Sequence, residues 1–578
     1  MKTTGGRLVV RALEDEGIRF AFGIPGTHNI ELYDALAESE TVRPILVTDE
    51  QAASFMADAA WRASGQIACA NLVPGAGVTH AMSGIAEAWM DNVPMLVLTC
   101  GIRTDTGRAF QLHDVDQLAM ARPVTKAQIR IERGEDLYGE IRRACAIARA
   151  GTPGPVIVEV PANLYLFRHE TVNGRRSTVD GMPDADAHAI ELAAGVLASA
   201  RRPLLYVGLG AAAARDRLVE LAERFEMPVA STFQGKGVFP ESHPLFLWPG
   251  FGDAAPAFVR KVVAECDVTL AIGCRFGEVA TGSYGMTPPG KLVHVDVDPN
   301  VFHLNFPAAL GIESDAAGFV DALLAALEST PARARDDDMR ERIARGHAAV
   351  VEEWREEAAA SESVAPWALI SALQRRLPAD TIYCTDSGNG TFLAMEQLRL
   401  DAPRRFLAPV DYSCMGYSVP AAVGAKLARP EAAVVALAGD GAFLMTGLEL
   451  VTAVAHQVPI AMFLLRDREL AQIAQFQDTA LSRKTASAVS EYDLASLAGA
   501  LGVECVRLDR NAEIEATLDV VERALAKGRP IAVDVAIDYS RKTYFTKGVV
   551  KTNLRRLPLG DRVRFIARAV GRRLLPAR

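Results

Sequence analysis

The segment VVALAGDGAFLMTGLELVTAV, residues 434–454, decides the fold of the carboxyl-terminal part of this chain. Its apolar start predicts a buried strand, which runs through a Gly-Asp-Gly turn at Asp440 into a helix. Glycines at a strand end let the backbone approach a ligand closely, and free N–H groups at a helix start favour phosphate. A second apolar run, AMFLLRDREL at 461–470, places Asp467 at the end of a neighbouring strand. Two carboxylates, a backbone carbonyl and phosphate oxygens predict a Mg²⁺ site, the alternative being a charged surface turn.

The composition indicates a multidomain globular enzyme. The chain has 578 residues, 50% of them hydrophobic and 23% charged, and this length predicts three or four domains. The net charge of −9 argues against nucleic acid as the main partner. No apolar run reaches the roughly 18 to 20 residues that cross a bilayer, and the charged start MKTTGGRLVVRALEDEG is unlike a signal peptide. A cytoplasmic location is therefore expected.

Short apolar strands alternate with helical segments along the chain, which predicts an α/β fold of three doubly wound parallel-sheet domains. Two polar or charged segments, 174–189 and 328–346, indicate the boundaries between them. The three units are expected to be alike in class only. The predicted parts are a first domain at 1–175, a central domain at 188–330, a third domain at 360–540 and a basic tail at 541–578.

Several motifs in a fixed order carry a resemblance to a known family. Besides the GDG segment they are FGIPGTHNIELYDAL (22–36), TDEQAASFMADAAWRASG (48–65), GAGVTHAMSGIAEAWMDNVPMLVLT (75–99), GTPGPVIVEVPANL (151–164) and DYSCMGYSVPAAVGAKLA (411–428). Together they resemble the thiamine diphosphate (ThDP) enzymes and, among these, the acetolactate synthase-like family. The resemblance covers nearly the whole chain. It implies a pyrimidine-binding, a central nucleotide-binding-like and a diphosphate-binding domain, with ThDP and Mg²⁺ as cofactors.

The family's GDG is followed further along by a pair of asparagines, which Arg466 and Asp467 replace here. By resemblance, Asp440, Asp467 and the main-chain carbonyl of Glu469 hold the metal. Aspartate keeps the oxygen ligand and adds negative charge. Arg466 is expected to offset that charge.

The resemblance also implies roles for residues around the cofactor. Glu50 matches the glutamate that bonds pyrimidine N1′ and lets the cofactor's own amino group act as base. Taken alone, a glutamate entering a helix also fits a contact with the helix dipole. Met415 matches the apolar residue that bends the cofactor, although a core methionine is the usual meaning of this residue type. The Ser413 carbonyl is expected to accept a hydrogen bond from the amino group. Further cofactor contacts are implied for Pro25, Gly388, Asn389, Gly441 and Ala442.

The residues that face the substrate lie on loops. Thr27 and His28 follow the GIPG stretch, where relatives place groups that handle protons, and Gln111 matches the glutamine of the family's FQE. For His28 the alternative is a solvated loop histidine. Lys126 matches a family lysine near the substrate channel. Structural roles fit two further histidines equally well, His80 and His113.

Two departures from the family lie on the acceptor side of the pocket. Leu112 replaces the acid of FQE, and Phe476 stands where acetolactate synthases carry a tryptophan that helps to choose the acceptor. The identity of the acceptor therefore stays open. The central unit keeps YVGLG, CRFGE and VHVDVDP, similar to the family's nucleotide-binding unit, but WPGFGD matches the flavin contacts only in part, so FAD binding also stays open.

The basic tail contains twelve Lys or Arg residues and one acid, Asp561. Its amphipathic pattern fits packing on the acidic body, which we favour, or contact with an anionic membrane. The family's sites assemble between two chains, which implies a homodimer or a homotetramer.

The expected activity is ThDP- and Mg²⁺-dependent decarboxylation of a 2-oxo acid followed by carboligation of the acetolactate type. The alternatives are simple 2-oxo acid decarboxylation and a lyase or transferase reaction on another 2-hydroxy or 2-keto substrate. A ThDP-fold regulatory protein without turnover is the alternative from another class.

Overall fold

The computed structural model describes residues 2–170 and 181–574. It confirms the predicted α/β class, because three six-stranded parallel sheets are each flanked by helices. Across these residues, every helix is too short or too polar to span a bilayer.

The amino-terminal domain contains a six-stranded sheet of order β3-β2-β4-β5-β7-β6. Its first and last strands, β1 and β8, form a separate antiparallel pair. The strands are β1 Lys2–Thr4, β2 Phe20–Gly23, β3 Arg43–Leu46, β4 Cys69–Leu72, β5 Leu96–Gly101, β6 Ala127–Arg130, β7 Val156–Pro161 and β8 Arg168–Glu170. The helices are α1 Gly5–Asp15, α2 Ile30–Ala37, α3 Glu50–Ser64, α4 Ala76–Met90, α5 Gln117–Ala121, α6 Leu137–Arg149 and α7 Ala162–Leu166.

The central domain has the strand order β11-β10-β9-β12-β13-β14, which is the order of dinucleotide-binding sheets. Its strands are β9 Pro203–Val207, β10 Val229–Ser231, β11 Phe246–Pro249, β12 Val268–Ile272, β13 Lys291–Asp296 and β14 Leu310–Glu313. Its helices are α8 Ala187–Ser199, α9 Arg215–Phe225, α10 Ala257–Val263, α11 Ala316–Ala326 and α12 Asp337–Ala360.

The carboxyl-terminal domain has the order β16-β15-β17-β18-β20-β19. Its strands are β15 Ile382–Thr385, β16 Phe406–Leu407, β17 Val434–Gly439, β18 Ala461–Arg466, β19 Glu504–Leu508 and β20 Ile531–Ala536. Its helices are α13 Pro366–Arg376, α14 Asn389–Gln397, α15 Ser418–Ala428, α16 Asp440–Thr446, α17 Leu450–Ala455, α18 Ala471–Leu481, α19 Leu494–Ala500 and α20 Ile514–Ala526. The tail adds α21 Tyr544–Arg556 and α22 Leu559–Leu574.

The first and third sheets share one topology. If the six strands of each are numbered in chain order, both follow 2-1-3-4-6-5, whereas the central sheet follows 3-2-1-4-5-6. The expectation that the units share only their class is therefore wrong for these two domains. Sequence patterns did not reveal it, because strand order is set by crossover connections and not by local composition.

The amino-terminal and carboxyl-terminal domains share one hydrophobic core. Helix α3 packs against α15, and the buried cluster around them contains residues of both sheets. The two helices approach closely at Gly424, where a Cβ would lie 2.4 Å from the carbonyl oxygen of Met56. Only glycine fits at such a distance.

The two predicted boundary segments join the three domains. The part of the first predicted boundary at 174–180 lies outside the described residues. The second boundary segment, 328–346, runs into α12. In the tail, Lys551 and Arg555 bind Asp253, and α22 packs on α18, which agrees with packing on the protein body.

Candidate active site

Asp440 and Asp467 lie together at the carboxyl edge of the third sheet. β17 and β18 are neighbouring parallel strands with Gly439 opposite Leu465, so the residues that follow both strands meet. Asp440 is buried and accepts the backbone N–H groups of Gly441 at 2.8 Å and Arg468 at 2.7 Å. The acids sit near the point where the strand order reverses, where open α/β sheets bind ligands.

The electrostatics of this pair suit a cation. Burial and, to a smaller extent, the Asp440 carboxylate raise the pKa of Asp467 to about 7. Burial also raises the pKa of Asp440. Neither carboxylate forms an ion pair with a basic side chain within residues 2–170 and 181–574. A divalent cation between them would remove the cost of two close negative charges, and carboxylate oxygens are ligands that Mg²⁺ prefers.

The expectation that Arg466 offsets the charge of Asp467 is wrong. The Arg466 guanidinium donates to both oxygens of Asp534, at 2.8 and 2.9 Å, and its side chain lies over the ring of Tyr492. Successive residues of a strand point to opposite faces, so Arg466 cannot follow Asp467 toward the metal loop.

The loop after Asp467 is shaped to expose backbone groups. Arg468 has a φ of +62°, which is unusual for a residue with a side chain. The Glu469 side chain forms an ion pair with Lys484 at 2.6 Å. The strand-like contact of Glu469 with Ala488 holds the loop in place.

A cradle for phosphate lies next to the acids. Gly388 has a φ of +135°, a conformation open to glycine, and a Cβ there would meet nothing within 4 Å. Asn389 is buried and begins α14. The N–H groups of Asn389 and Gly390 donate to no group among the described residues and can bind an anion, whereas Thr391 N donates to the Gly388 carbonyl at 3.1 Å. A Cβ built on Gly441 would lie 3.7 Å from Met415 Cε, so the Met415 side chain reaches the GDG turn.

The loop that carries Ser413 and Met415 is held by Asp386, which sequence reasoning missed. One Asp386 oxygen accepts from Gly416 N at 2.8 Å, and the other accepts from Ser418 N and Oγ at 2.9 and 2.8 Å. Burial raises the pKa of Asp386 to about 6. The signal was available, because this acid follows a buried strand in the TDSGNG motif.

Glu50 begins α3 at the carboxyl edge of the first sheet and is 7% exposed. Asp49 caps the helix by accepting from Gln51 N at 2.8 Å. The turn before Glu50 is held by the buried Glu449 of the third domain, which accepts from Thr48 N at 2.6 Å and was also missed. The Glu50 carboxylate fits because residue 77 is glycine, where a Cβ would lie 2.9 Å from Oε1.

The predicted substrate-facing residues lie on loops of the first domain. His28 Nδ1 lies 3.2 Å from Thr27 Oγ1, and its ring packs edge-on against His113 with centroids 5.4 Å apart. Burial lowers the pKa of His28, and His113 lowers it further. Gln111 donates to the carbonyls of Arg103 and Arg108 in its own loop.

The other first-domain candidates are Pro25, His80 and Lys126. Pro25 is exposed in the loop after β2. His80 Nδ1 lies 3.3 Å from Asp49 Oδ2 and 3.6 Å from Glu50 Oε2. Lys126 donates to the carbonyls of Ala150 and Thr152, so its ammonium group is bound to the backbone.

The candidate residues therefore form two groups. The first domain carries Pro25, Thr27, His28, Glu50, His80, Gln111, His113 and Lys126, and the third domain carries Gly388, Asn389, Ser413, Met415, Asp440, Gly441, Ala442, Asp467 and Glu469. No hydrogen bond or ion pair among the described residues joins a member of one group to a member of the other.

A cavity of about 320 Å³ lies at the carboxyl edge of the central sheet. It opens where β9 and β12 are adjacent and the strand order reverses. Its lining includes Asp296, whose pKa burial raises to about 6, and Arg275, which binds Asp411 at 2.7 Å. Polar groups at this edge suit a nucleotide-like ligand.

Comparison with known proteins identifies the family of each of the three domains. Residues 3–120 match the N-terminal TPP binding domain of thiamine pyrophosphate enzymes, residues 190–323 match the central domain, and residues 386–535 match the C-terminal TPP binding domain. Thiamine pyrophosphate (TPP) is another name for ThDP.

Three curated relatives match over most of their length. The acetolactate synthase isozyme 3 large subunit of Escherichia coli (strain K12) is 30% identical over 94% of this chain and 96% of its own. A probable acetolactate synthase large subunit of Methanocaldococcus jannaschii is 31% identical over 92% of each chain. A probable 2-ketoarginine decarboxylase of Pseudomonas aeruginosa is 33% identical over 81% of this chain and 83% of its own. With all three domains matched and relatives of this identity, the chain belongs to the thiamine pyrophosphate enzymes, within the acetolactate synthase-like family of ThDP-dependent lyases and transferases.

Proposed function

We propose that the protein uses ThDP and Mg²⁺ to decarboxylate a 2-oxo acid and then joins the remaining fragment to an acceptor, as in acetolactate formation. The observation that carries the proposal is the buried pair Asp440 and Asp467, without basic partners among the described residues, beside the Met415 loop. Bound ThDP supplies a nucleophilic carbon and an electron sink for the loss of CO₂.

The third domain would hold the diphosphate and the metal. Asp440, Asp467 and the main-chain carbonyl of Glu469 are the proposed protein ligands of Mg²⁺. Backbone groups would bind the phosphates, and these come from Gly388, Asn389, Gly441 and Ala442. The free N–H groups at the start of α14 and the open backbone at Gly388 support this assignment.

The first domain would control protons. Glu50 is proposed to hold a proton at pyrimidine N1′, with the Ser413 carbonyl accepting from the amino group and Met415 supporting the bent cofactor. Pro25 is proposed to contact the cofactor. Burial lowers the pKa of His28, which favours the neutral imidazole, the form that can accept a proton. Thr27 and Gln111 are proposed as further polar groups facing the substrate.

The complete site is proposed to form between two copies of the chain. Within the described part of one chain, no hydrogen bond or ion pair joins the first-domain candidates to the third-domain candidates. Apolar side chains beside the GDG helix are exposed: Leu444 at 53%, Met445 at 55% and Leu448 at 53%. Exposed apolar patches of this kind mark interfaces. A homodimer or homotetramer is therefore expected, and sedimentation equilibrium tests it.

Simple decarboxylation is the second candidate. The relative named a probable 2-ketoarginine decarboxylase supports it, as do Leu112 and Phe476 on the acceptor side. A lyase or transferase reaction on another 2-hydroxy or 2-keto substrate, or a regulatory role without turnover, would follow if 2-oxo acids are not consumed.

The experiment supplies purified protein with ThDP, Mg²⁺, pyruvate and a panel of other 2-oxo acids, and follows CO₂ and carbon products together. CO₂ with acetolactate or another coupled product supports carboligation. CO₂ with aldehyde alone supports the decarboxylase. No CO₂ with ThDP bound contradicts both.

The central cavity is proposed to take a nucleotide-containing group, and FAD is one candidate. The strand order of the domain and the position of the cavity support this class of ligand. The absorption spectrum of the supernatant after heat denaturation of the purified protein identifies a flavin or an adenine nucleotide.

A further inference from the structure

The loop at 410–417, which carries Ser413 and Met415, is anchored by two acids of the first domain of the same chain. Asp91, directly after α4, accepts from Val410 N at 3.3 Å and from Asp411 N at 3.2 Å. Glu87, one turn earlier, accepts from Cys414 N at 3.2 Å. Asp91 therefore accepts hydrogen bonds from the beginning of the loop, and Glu87 accepts one from its middle.

Both acids are buried in a charged cluster. Glu87 is 0% exposed and Asp91 is 2% exposed. Arg62 of α3 donates to Asp91 at 2.8 Å and to Asp58 at 2.6 Å, and Asp58 accepts from the Tyr417 hydroxyl at 2.6 Å. Burial raises the pKa of Glu87 well above its usual value, and the neighbouring Asp91 raises it further.

The loop needs such anchors because its backbone is held in an unusual conformation. Ser413 has a φ of +64° and Gly416 has a φ of +87°. A residue with a side chain in this region persists only where surrounding contacts over-determine it. Asp386 holds the loop from its own domain, and the α4 acids hold it from the other side.

We propose that Glu87 and Asp91 are positioning residues that set the Met415 loop of their own chain in the conformation that bends the cofactor. The inference rests on the proposed role of Met415 in ThDP binding. The acids touch the loop backbone and not the cofactor, so they act through Ser413 and Met415. The first domain thus contributes to the site through α4 as well as through Glu50.

The test measures hydrogen–deuterium exchange at the thiazolium C2 of ThDP bound to the full-length protein with Mg²⁺. Glu87→Leu removes the acceptor for Cys414 N and is expected to slow exchange about tenfold or more, because small misplacements of a reacting group are costly. Glu87→Gln keeps a neutral acceptor and is expected to remain within about threefold of wild type, so the conservative variant rescues the rate. Glu226→Leu removes another buried acid, which pairs with Arg340 far from the loop, and is expected to lower thermal stability without slowing exchange.

Met415→Ala separates this inference from the proposed function. Slow exchange in Met415→Ala together with a normal rate in a folded Glu87→Leu protein would overturn the positioning role alone. If wild type binds no ThDP, both are overturned. Amide exchange of wild type needs no variant: the Asp411 and Cys414 amides are expected to be protected without cofactor. Exchange at the rate of an unstructured chain would contradict the anchoring.

Discussion

The guanidinium of Arg466 forms a two-point ion pair with the carboxylate of Asp534, at 2.8 and 2.9 Å, and both side chains are at most 10% exposed. This pair joins β18 to the neighbouring strand β20 at the end of β18, where the candidate metal loop begins. The next residue, Asp467, is left to face Asp440. These adjacent residues therefore differ in role. The Arg466 side chain pairs with a neighbouring strand, and the Asp467 side chain faces the candidate metal site.

Asp534→Ala is expected to lower stability by about 3 kcal/mol, because it leaves the buried Arg466 without its carboxylate partner. The shift of the urea-unfolding midpoint measures the effect. The control is Asp509→Asn, which changes a half-exposed acid paired with Arg507. It is expected to lower the free energy of unfolding by less than about 1 kcal/mol. Equal effects of the two variants would contradict the structural role of the pair.

Asp467→Ala is expected to raise the Mg²⁺ concentration needed for half-maximal ThDP binding about tenfold or more, because an oxygen ligand is lost. Asp467→Asn keeps an oxygen and is expected to show a smaller increase. Fluorescence quenching on ThDP binding, titrated with Mg²⁺, measures both. Asp478→Asn alters an exposed acid on α18 and is expected to match wild type. A normal Mg²⁺ requirement in Asp467→Ala would remove this residue from the proposed metal site.

Glu50→Gln is expected to slow deprotonation of ThDP C2 by about 10²-fold or more, the range of positioned acid-base groups. The amide keeps the size of the side chain but cannot hold the proton at N1′. Deuterium exchange at C2, measured with cofactor saturating, reports this step alone. Asp34→Asn, on the exposed surface of α2, is the control for loss of one acid in the same domain. An unchanged rate in Glu50→Gln would refute the assignment.

Asp296→Asn is expected to stabilise the protein at alkaline but not at acidic pH. Burial raises the folded-state pKa of Asp296 from 3.8 to about 6, so its contribution to stability is full below pH 4 and is lost as pH rises through 6. Asparagine carries no charge and avoids this loss. The thermal midpoint of the variant should exceed that of wild type at pH 7.5, by the equivalent of about 1–2 kcal/mol, and match it at pH 3.5. Asp184→Asn, which changes an exposed acid just before α8, should show no such difference between the two pH values.

Local patterns predicted correctly the buried strands that lead to two of the candidate site residues. The apolar runs before Asp440 and Asp467 are buried parallel strands that lie side by side, as their alternation with helices indicated. The two acids meet because both strands end at the same edge of the sheet. The chemical roles of these residues, and of Glu50 and Met415, stay predictions for the experiments above.

Other contacts could not be predicted from local patterns. The acids Glu449, Glu87 and Asp91 hold loops of the candidate site, and each lies in or beside a stretch whose pattern indicates only a helix. The partner of Arg466 is 68 residues away, and the partner of the Cys414 amide is 327 residues away. No periodicity connects such positions.

The sequence by itself determined the class of fold, the three sheets and the position of the GDG turn, because strands, helices and turns follow from short-range hydrophobic spacing and backbone preference. Only the tertiary structure decided which buried charges pair, that the first and third sheets share one strand order, and that α4 anchors the Met415 loop. These features depend on how distant segments pack. A buried donor or charge takes whichever partner the packing brings within hydrogen-bond distance.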